Sequence, residues 1–386
     1  MSWDLIDIIS IAPIIHDTLN PFEGEIPYMA TGDLTNENSK EMEFVTYTNR
    51  PSRADLTAKT GDIVLARMKA TNKVLLVNNH ESSYIYSTGF LILRPTNGID
   101  KKFLFHYLQS SNFQDNKDKF CTGATQKSIN NQNFAKLKIP LPPLHIQKRI
   151  SHILDIVDLL KRKDQQLLEK YSDLTQSIFI DLFGNPVNNE KKWELIPYSD
   201  LFHTRLGKML DVKKQIGNKK YKYLGNSNVQ WFRFKLDNLA EMEFNEKDIK
   251  TFNLKKKDIL ICEGGEVGRA AIWNEDINNV FFQKAIHRAR IKTNNITPEY
   301  MVMVLWFYSK FGGFKNFVST STISHLTGEK LKTLLIPLPP YSKQVQYSQR
   351  IQSLNEQGKI LEISLNHSIN LFNTIFQKAF TGELVS

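Results

Sequence analysis

Cysteine is scarce and long apolar runs are missing from this 386-residue sequence. Cys121 and Cys262 lie in no paired motif, so neither a disulfide framework nor a cysteine-based zinc site is expected. No apolar run reaches the roughly 18 to 20 residues that span a bilayer. The start, MSWDLIDIISIAPII, carries Asp4 and Asp7 and lacks the basic residues that begin a signal peptide. We therefore expect a cytoplasmic protein that does not enter a membrane.

Motifs for catalysis and cofactor binding are also missing. The glycines at 264, 265 and 268 do not have the G-x-G-x-x-G spacing, no G-x-x-x-x-G-K-[ST] phosphate loop occurs, and the histidines lack metal-ligand spacing. The Asn185-Pro186-Val187 sequence is not the aromatic Pro-Pro motif with which amino-methyltransferases hold a flipped base. The sequence thus predicts no catalytic residue, no metal site and no cofactor in this chain. An enzyme hypothesis would require the purified chain to catalyse a reaction unaided.

Positive charge is plentiful, and it is unevenly distributed. The formal net charge is +10. Residues 187–340 contain 25 Lys and Arg against 16 Asp and Glu, whereas residues 1–143 contain 15 of each. A basic domain favours a polyanionic partner such as nucleic acid, although a solvated lysine-rich surface explains the charge as well.

An internal repeat organises the chain. Residues 139–149 read IPLPPLHIQKR, and residues 336–346, 197 positions later, read IPLPPYSKQVQ. The register continues without a gap, because Gln147 meets Gln344 and Ser151 meets Ser348. A polyproline linker or an adaptor ligand would also contain such a phrase. Duplication in register before an amphipathic run instead indicates two copies of one structural unit.

Each copy ends in a tail with helical periodicity. Apolar residues recur every three or four positions after the prolines, which suit a first helical turn, and Gly184 followed by Asn185-Pro186 ends the first run. Gly358 is expected to interrupt the second run. Two such rods, each on the order of 60 Å long, most simply bury their stripes against each other as an antiparallel pair. The predicted seam residues are Ile150, Leu154, Val157, Leu174, Ile178, Leu354, Leu361, Leu365 and Ile375.

The bodies before the tails have the signals of α/β (α+β) heads. Short β-branched segments at 62–66, 73–77 and 89–93 predict strands, and residues 101–110 and 298–309 predict helices. Polar loops at 122–134 and 319–331 precede each IPLPP phrase. We expect a first head at 1–143, a first helix at 144–186, a second head at 187–340 and a second helix at 341–386. The helices would separate the heads about a pseudo-twofold axis.

This order of elements resembles the specificity subunit of type I restriction–modification enzymes over essentially the whole chain. The resemblance rests on a strand-rich head, a TQKSIN-type loop, IPLPP with a following glutamine and an amphipathic rod, all occurring twice. The second head also has CEGGEVGRAAIW, similar to a glycine-containing strand–loop–strand segment of the family. The first head has ARMKATNKVLLV there and lacks those glycines, so the two heads are expected to differ in backbone and in the sequence that each reads.

The resemblance implies a function without chemistry of its own. Each head would be a target-recognition domain that reads one half of a split sequence in double-stranded DNA. The paired helices would set the spacing and dock two methyltransferase subunits, with restriction and translocase subunits joining through these. S-adenosylmethionine, ATP and Mg would then bind to the partner subunits. A recognition subunit of a related nuclease–methyltransferase, or a two-headed protein scaffold that never binds DNA, remains as an alternative.

Candidate DNA contacts lie on loops, and each has a plainer explanation. Residues 125–127 offer groups suited to phosphate oxygens and base edges, but they also suit a solvated helix cap. Residues 264–269 would let the backbone approach DNA, or they form a simple hairpin. Trp231 and Arg233 would stack on DNA or reach into it, unless the tryptophan is buried. The predicted contacts are Arg67, Lys69, Lys73, Thr125, Gln126, Lys127, Lys208, Trp231, Arg233, Gly265, Gly268, Arg269, Lys284, Thr322, Ser324 and His325.

Overall fold

The computed structural model describes residues 3–34, 42–209, 219–315, 317, 325–381 and 383. The chain divides into unit 1, Met1–Gln166 with Glu362–Ser386, and unit 2, Leu167–Leu361. Unit 1 therefore contains the first head, unit 2 contains the second, and each unit includes part of both tails.

Unit 1 folds as a mixture of helices and strands, as its sequence predicts. The strands expected at 62–66, 73–77 and 89–93 and the helix expected at 101–110 are confirmed to within about a residue at each end. In chain order the elements are β1 (Leu5–Asp7), α1 (Ile8–Ile11), β2 (Ile14–Ile15), β3 (Ile26–Met29), β4 (Glu43–Val45), β5 (Ala54–Thr57), β6 (Ile63–Ala66), β7 (Val74–Leu76), β8 (Ile85–Ser87), β9 (Phe90–Leu93), α2 (Lys101–Gln109), α3 (Ser111–Lys119), α4 (Asn131–Phe134), β10 (Lys138–Pro140) and the long helix α5 (Leu144–Phe183).

Two four-stranded sheets form the body of the first head. One is antiparallel with the order β2-β9-β6-β7, and the other has the order β4-β3-β8-β5 with β3 and β8 parallel. Every residue of β6 and β9 is buried, which is why their sequences are apolar throughout and do not alternate.

Unit 2 repeats this plan with longer strands. The helix expected at 298–309 is confirmed. In chain order the elements are β11 (Glu194–Pro197), α6 (Tyr198–Leu201), β12 (Phe202–Leu206), β13 (Lys220–Leu224), β14 (Val229–Gln230), β15 (Arg233–Phe234), β16 (Ala240–Glu243), α7 (Glu246–Phe252), β17 (Asp258–Cys262), β18 (Ala270–Trp273), β19 (Val280–Phe282), β20 (Ile286–Ile291), α8 (Pro298–Lys310), α9 (Gly328–Lys332), β21 (Leu335–Leu338) and the long helix α10 (Tyr341–Thr381).

The sheets of the second head match those of the first. The order β12-β20-β17-β18 corresponds to the antiparallel sheet of unit 1, and the order β16-β13-β19 contains the equivalent parallel pair, β13 with β19. A further hairpin, β14 with β15, packs on β17 and β18.

The IPLPP phrase forms a paired strand that leads into a long helix. In unit 1, β10 pairs antiparallel with β1, and Ile139 lies opposite Ile6. In unit 2, β21 pairs antiparallel with β11, and Ile336 lies opposite Ile196. Ile139 and Ile336 are both fully buried. The phrase is therefore part of the core of each unit, and the linker and adaptor-ligand explanations are wrong.

The glutamine after the first IPLPP fastens the long helix to the head. Gln147 is 1% exposed, and its Oε1 accepts from the backbone N–H of Asp100 at 2.8 Å. Its Nε2 donates to the carbonyl oxygens of Pro142 at 2.8 Å and Gly98 at 3.5 Å. One side chain thus joins the first turn of α5, the approach to it and the N-terminus of α2.

The second copy makes the same three contacts. Gln344 is fully buried, its Oε1 accepts from the N–H of Thr297 at 3.0 Å, and its Nε2 donates to Pro339 at 2.9 Å and Asn295 at 3.0 Å. Every partner is displaced by 197 positions from its counterpart. We refer to these two arrangements as the glutamine clamps.

An ion pair between a buried aspartate and a half-buried arginine also recurs. The guanidinium of Arg94 binds both carboxylate oxygens of Asp62 at 2.8 and 2.7 Å, and that of Arg290 binds both oxygens of Asp258 at 2.7 and 2.6 Å. In the first head the pair joins the residue before β6 to the residue after β9, and in the second head it joins β17 to β20.

The two long helices pack antiparallel within unit 1. The carboxylate of Asp164 accepts from the hydroxyls of Ser364 and Ser368 at 3.1 Å each. Further toward the start of α5, Ile150 shares a core with Ala379 near the end of α10. Partner numbers thus fall in α10 as residue numbers rise in α5, which confirms the predicted direction of pairing.

The helices also pack antiparallel within unit 2. The hydroxyl of Tyr171 donates to Oε1 of Gln357 at 2.9 Å, and the ring of Phe179 meets that of Tyr347 at 5.4 Å. Gly358 interrupts the apolar periodicity of the second tail but not the helix, because α10 is continuous through that residue. Gly184 ends α5 with φ +73, as expected. Among the described residues, no helix has both the length and the hydropathy to cross a membrane.

The predicted seam residues divide into two groups. Most contribute to a core or border one: Ile150, Leu154 and Val157 are buried, and Ile178, Leu354, Leu361, Leu365 and Ile375 are half-buried. Leu174 is 46% exposed and therefore does not belong to a buried seam.

Candidate nucleic-acid interface

Equivalent hairpins mark the candidate surface in each head. Residues 67–73 connect β6 to β7, and residues 263–269, 196 positions later, connect β17 to β18. The structure shows what holds each hairpin in place and which of the predicted side chains it directs outward.

Hairpin 263–269 requires its glycines. Gly265 and Gly268 have φ of +78 and +79, a conformation that L side chains rarely adopt. A Cβ on Gly268 would lie 2.4 Å from the ring of Phe314. The glycines therefore serve the shape and packing of the turn, and their backbone approach to DNA remains a prediction.

Arg269 points into the protein. Its Nη2 donates to the carbonyl of Asn226 at 2.8 Å, Glu266 lies 3.8 Å away, and the side chain is only 15% exposed. Lys310 binds the same Glu266 at 2.6 Å. Burial acts to raise the pKa of Glu266, but the hydrogen bond from Lys310 and the nearby charges outweigh it, so the pKa is lowered. This keeps the carboxylate ionised and the hairpin fastened to α8.

A cleft of about 490 Å³ lies beside hairpin 263–269. It brings together three of the predicted contacts, Gly265, Lys284 and His325. Lys284 is exposed, and within the described ranges its ammonium has no protein acceptor. Ala285 in the wall has φ +116, a strained backbone of the kind found at binding sites. The lining is completed by Asn226, Glu263, Gly264 and Thr327.

A buried histidine lies under this cleft. His287 on β20 is 1% exposed, and its Nε2 is 4.0 Å from Oε2 of Glu263. Gly328 packs directly on the ring, since a Cβ there would be 3.3 Å from its Cε1. Burial lowers the pKa of His287 below its usual value despite the neighbouring carboxylate. The imidazole is therefore neutral in the fold at pH 7.

We expect this histidine to make unit 2 acid-sensitive. Below the ordinary histidine pKa of about 6.5, the unfolded chain takes up a proton that the fold resists. As the pH is lowered, the free energy of unfolding therefore decreases by up to about 1.4 kcal/mol per pH unit. The decrease stops when the pH reaches the lowered pKa of His287 in the folded state. Thermal unfolding at pH 7.5 and 5.5 should show a smaller pH effect in His287→Gln than in the wild type. The exposed His203→Gln variant, also in unit 2, serves as control, and an equal pH effect in all three proteins would contradict the expectation.

Hairpin 67–73 of the first head is held from three sides. Nε of Arg67 donates to the carbonyl of Phe90 at 2.9 Å, and its Nη1 donates to Oδ1 of Asn131 at 2.8 Å. Burial lowers the pKa of Arg67, which nonetheless stays charged at pH 7 because of its high ordinary value. Nζ of Lys73 donates to the carbonyl of Thr31 at 2.5 Å. Both cations are thus bound within unit 1.

A buried lysine provides the third attachment. Lys117 is fully buried, and its Nζ donates to the carbonyls of Met68 at 3.1 Å and Thr71 at 2.8 Å. The neighbouring Asp118 accepts from the N–H of Ala70 at 2.8 Å. Sequence reasoning missed both residues, because SNFQDNKDK reads as a solvated helix. Only the tertiary position of α3 shows their role.

The exposed part of hairpin 67–73 meets the polar loop of the first head. The N–H of Lys69 donates to the carbonyl of Lys127 at 3.0 Å, and Nε2 of Gln126 contacts Sδ of Met68 at 3.5 Å. The side chains of Lys69, Thr125, Gln126 and Lys127 are exposed. The structure thus gathers four predicted contacts on one surface of unit 1.

The remaining predicted contacts differ in placement. Nζ of Lys208 donates to the carbonyl of Glu243 and to Asp248, both at 2.6 Å, so it is bound inside unit 2. Trp231 is half-buried and Arg233 is exposed. Thr322 and Ser324 lie outside the described residues. Among the described residues, no three His, Cys, Asp or Glu side chains gather as a metal site would require.

Apart from Arg233 on β15, the predicted lysines and arginines form two classes. Arg67, Lys73, Lys208 and Arg269 bind protein acceptors and hold loops in place. Lys69, Lys127 and Lys284 are exposed beside the two hairpins. A contact between the first group and DNA would have to replace these internal bonds.

Comparisons with known proteins also find one domain twice in this chain. A family model for the type I restriction modification DNA specificity domain matches residues 4–170 and again 190–371. The specificity subunit of the type I enzyme EcoKI from Escherichia coli K12 is 25% identical over 355 residues, covering 84% of this chain and 75% of that protein. A putative specificity subunit from Haemophilus influenzae is 24% identical over 397 residues, covering 98% and 93%.

Solved structures share the fold over the full length. The S subunit of a type I restriction–modification system from M. genitalium superposes with a TM-score of 0.63 at 16% identity, covering 98% of this chain and 96% of that one. A chain from another type I system gives 0.59 at 17% identity, covering 99% and 98%. Since the family model matches most of the sequence in two copies, the chain belongs to the type I restriction–modification DNA specificity family.

Proposed function

We propose that this specificity subunit binds double-stranded DNA and that each head reads one half of a bipartite target. The observation that carries the proposal is the pair of equivalent hairpins, each flanked by exposed lysines, Lys69 with Lys127 in the first head and Lys284 in the second. Loops on a rigid scaffold are where recognition is usually located. The excess positive charge of residues 187–340 adds long-range attraction to a polyanion.

The long helices then set the spacing between half-sites and dock two methyltransferase subunits, through which the restriction and translocase subunits join. Support comes from large apolar side chains that the helices leave exposed in water, an arrangement typical of interaction surfaces. In unit 1 these are Ile156, Leu159, Leu160, Ile363, Ile369 and Leu371, and in unit 2 they are Leu167, Leu174, Ile180 and Ile360.

We further propose that the chain is non-catalytic. S-adenosylmethionine, ATP and Mg would bind to the partner subunits, and the complex would work in the cytoplasm. This rests on the family and on the absence of cofactor and nucleophile motifs from the sequence.

A salt series tests DNA binding directly. We expect the subunit, assembled with its methyltransferase subunits, to bind duplex DNA with an affinity that falls steeply as salt rises. Lys284→Gln should weaken binding and reduce the slope of log K against log salt by about one unit. The control is Lys256→Gln, because Lys256 pairs with Asp276 at the other end of β17. Failure of the wild type to bind duplex DNA even at low salt would contradict the proposal and favour the protein scaffold.

A further inference from the structure

A two-residue turn in the second head presents an aromatic ring to solvent. In the β14–β15 hairpin, Val229 pairs with Phe234 and Gln230 with Arg233, which leaves only Trp231 and Phe232 in the turn. Phe232 has φ +65, in the left-handed region that favours glycine or asparagine. A bulky side chain in this conformation is an outlier that requires an explanation.

The surroundings hold Phe232 in this conformation. Its N–H donates to the carbonyl of Ala270 on β18 at 3.1 Å. Asn228 and Lys235 close the base of the hairpin with two hydrogen bonds of 2.8 and 2.9 Å. The backbone of the turn is therefore fixed, and the direction of the ring with it.

The two aromatic residues of the turn have different environments. Trp231 is half-buried against the core of unit 2, where it anchors the hairpin. The side chain of Phe232 is 49% exposed. Folding alone would favour a small residue at this position, since the ring adds strain to the backbone and leaves much of its apolar surface in water. This points to a ligand for the ring.

The charge around the turn indicates the kind of ligand. Arg233 and Lys235 follow the turn in the sequence, and residues 225–236 contain no Asp or Glu. An exposed ring among cations suits nucleic acid, because aromatic side chains make apolar contacts with bases while cations bind the phosphates. Lys220 and Lys222 on β13 lie opposite Glu243 and Glu241 of β16, so they do not add to this positive charge.

We propose that Phe232 contacts a base of the duplex in the half-site read by the second head, with Trp231 as its anchor. The inference rests on the proposed function, and it adds a specificity-determining residue to it. The β14–β15 hairpin then acts as a reading element beside the cleft next to hairpin 263–269.

The left-handed backbone of Phe232 allows the ring to be removed without straining the turn, because glycine adopts this conformation readily. Phe232→Gly removes the ring and suits the left-handed turn, so the fold should keep or raise its melting temperature. The same variant should weaken binding to the unmethylated target duplex at least about fivefold, on the scale of losing one base–aromatic contact. Since no charge is removed, the salt slope should stay as in the wild type. Phe232→Tyr, which retains the ring, should bind within about twofold of wild type.

Binding is measured with the subunit assembled with its methyltransferase subunits, and the duplex carries the site mapped in the expressing cells. Phe311→Ala is the control, because Phe311 is another exposed ring in the same unit, 55% exposed. Unchanged duplex affinity in Phe232→Gly overturns the inference. Weaker assembly with the methyltransferase subunits at unchanged duplex affinity also overturns it and identifies a protein contact. If the wild type fails to bind duplex DNA, the proposed function falls as well, so the two failures are distinguishable.

Discussion

Replacing either clamp glutamine by alanine is expected to cost about 3 kcal/mol of stability in its own unit. Gln147→Ala leaves the part-buried N–H of Asp100 and the buried carbonyl of Pro142 without their partner and opens a cavity where the side chain was. Each unsatisfied buried group costs about 1 to 3 kcal/mol, and the cavity adds to this. Gln344→Ala should have the same effect in unit 2, because all of its contacts are equivalent.

Hydrogen exchange locates the loss. In Gln147→Ala the amides of α2 should exchange faster while those of α8 are unchanged, and in Gln344→Ala the reverse should hold. The matched controls are Gln166→Ala on α5 and Gln346→Ala on α10, both exposed glutamines of the same helices. They should change stability by less than about 0.5 kcal/mol. Clamp variants no more damaging than these controls would show that the glutamines do not fasten the helices.

The repeat allowed much of this fold to be predicted, because it made each weak signal appear twice. The phrase IPLPP is ambiguous once, but its second copy before another amphipathic run indicates two copies of one unit, each ending in a helix. The strand that the phrase forms was not predicted. The unbroken apolar runs of β6 and β9 predict strands that are covered on both faces, and every residue of both strands is buried. The order of heads and tails along the chain also predicts the direction in which the long helices pair, because the second rod must return alongside the first.

Partners distant in sequence could not be predicted. The repeat shows that Gln147 and Gln344 are equivalent, but the N–H groups they bind lie 47 residues earlier in the chain. Lys117 resembles a solvated lysine until the packing of α3 buries it completely. Arg67 and Arg269 were predicted on the DNA side because they are basic residues at hairpins. The charge of a residue does not indicate whether a carbonyl within the protein has already bound it.

The strained backbone of the β14–β15 turn could not be predicted from the sequence either. No sequence pattern gives Phe232 a left-handed conformation, because the residue type argues against it. The left-handed conformation follows from the register of β14 with β15, which leaves only Trp231 and Phe232 to form the turn. Similarly, the apolar spacing of α5 placed Leu174 in the seam, although that position is 46% exposed. Periodicity identifies an apolar face but does not show how much of it a neighbour covers.

The largest functional effect is expected from exchanging a whole head. The cores of the two heads belong to separate units, so residues 1–143 can be replaced without altering the packing of unit 2. The clamp at Gln147 binds mainly backbone groups of the head, and a donor head with the same turn before its α2 can therefore restore these contacts. We expect the hybrid subunit to assemble and to direct methylation to a new bipartite site.

Genome-wide mapping of methylated adenines in cells that express the hybrid with its methyltransferase subunits tests the central claim, that each head reads its own half-site. The wild type should give a bipartite motif. Exchange of residues 1–143 should change one half of that motif and keep the other half and the spacer length, and exchange of residues 187–340 should change only the opposite half. The claim would be contradicted by a motif in which both halves change on either exchange. A wild-type motif that is continuous and not bipartite would also contradict it.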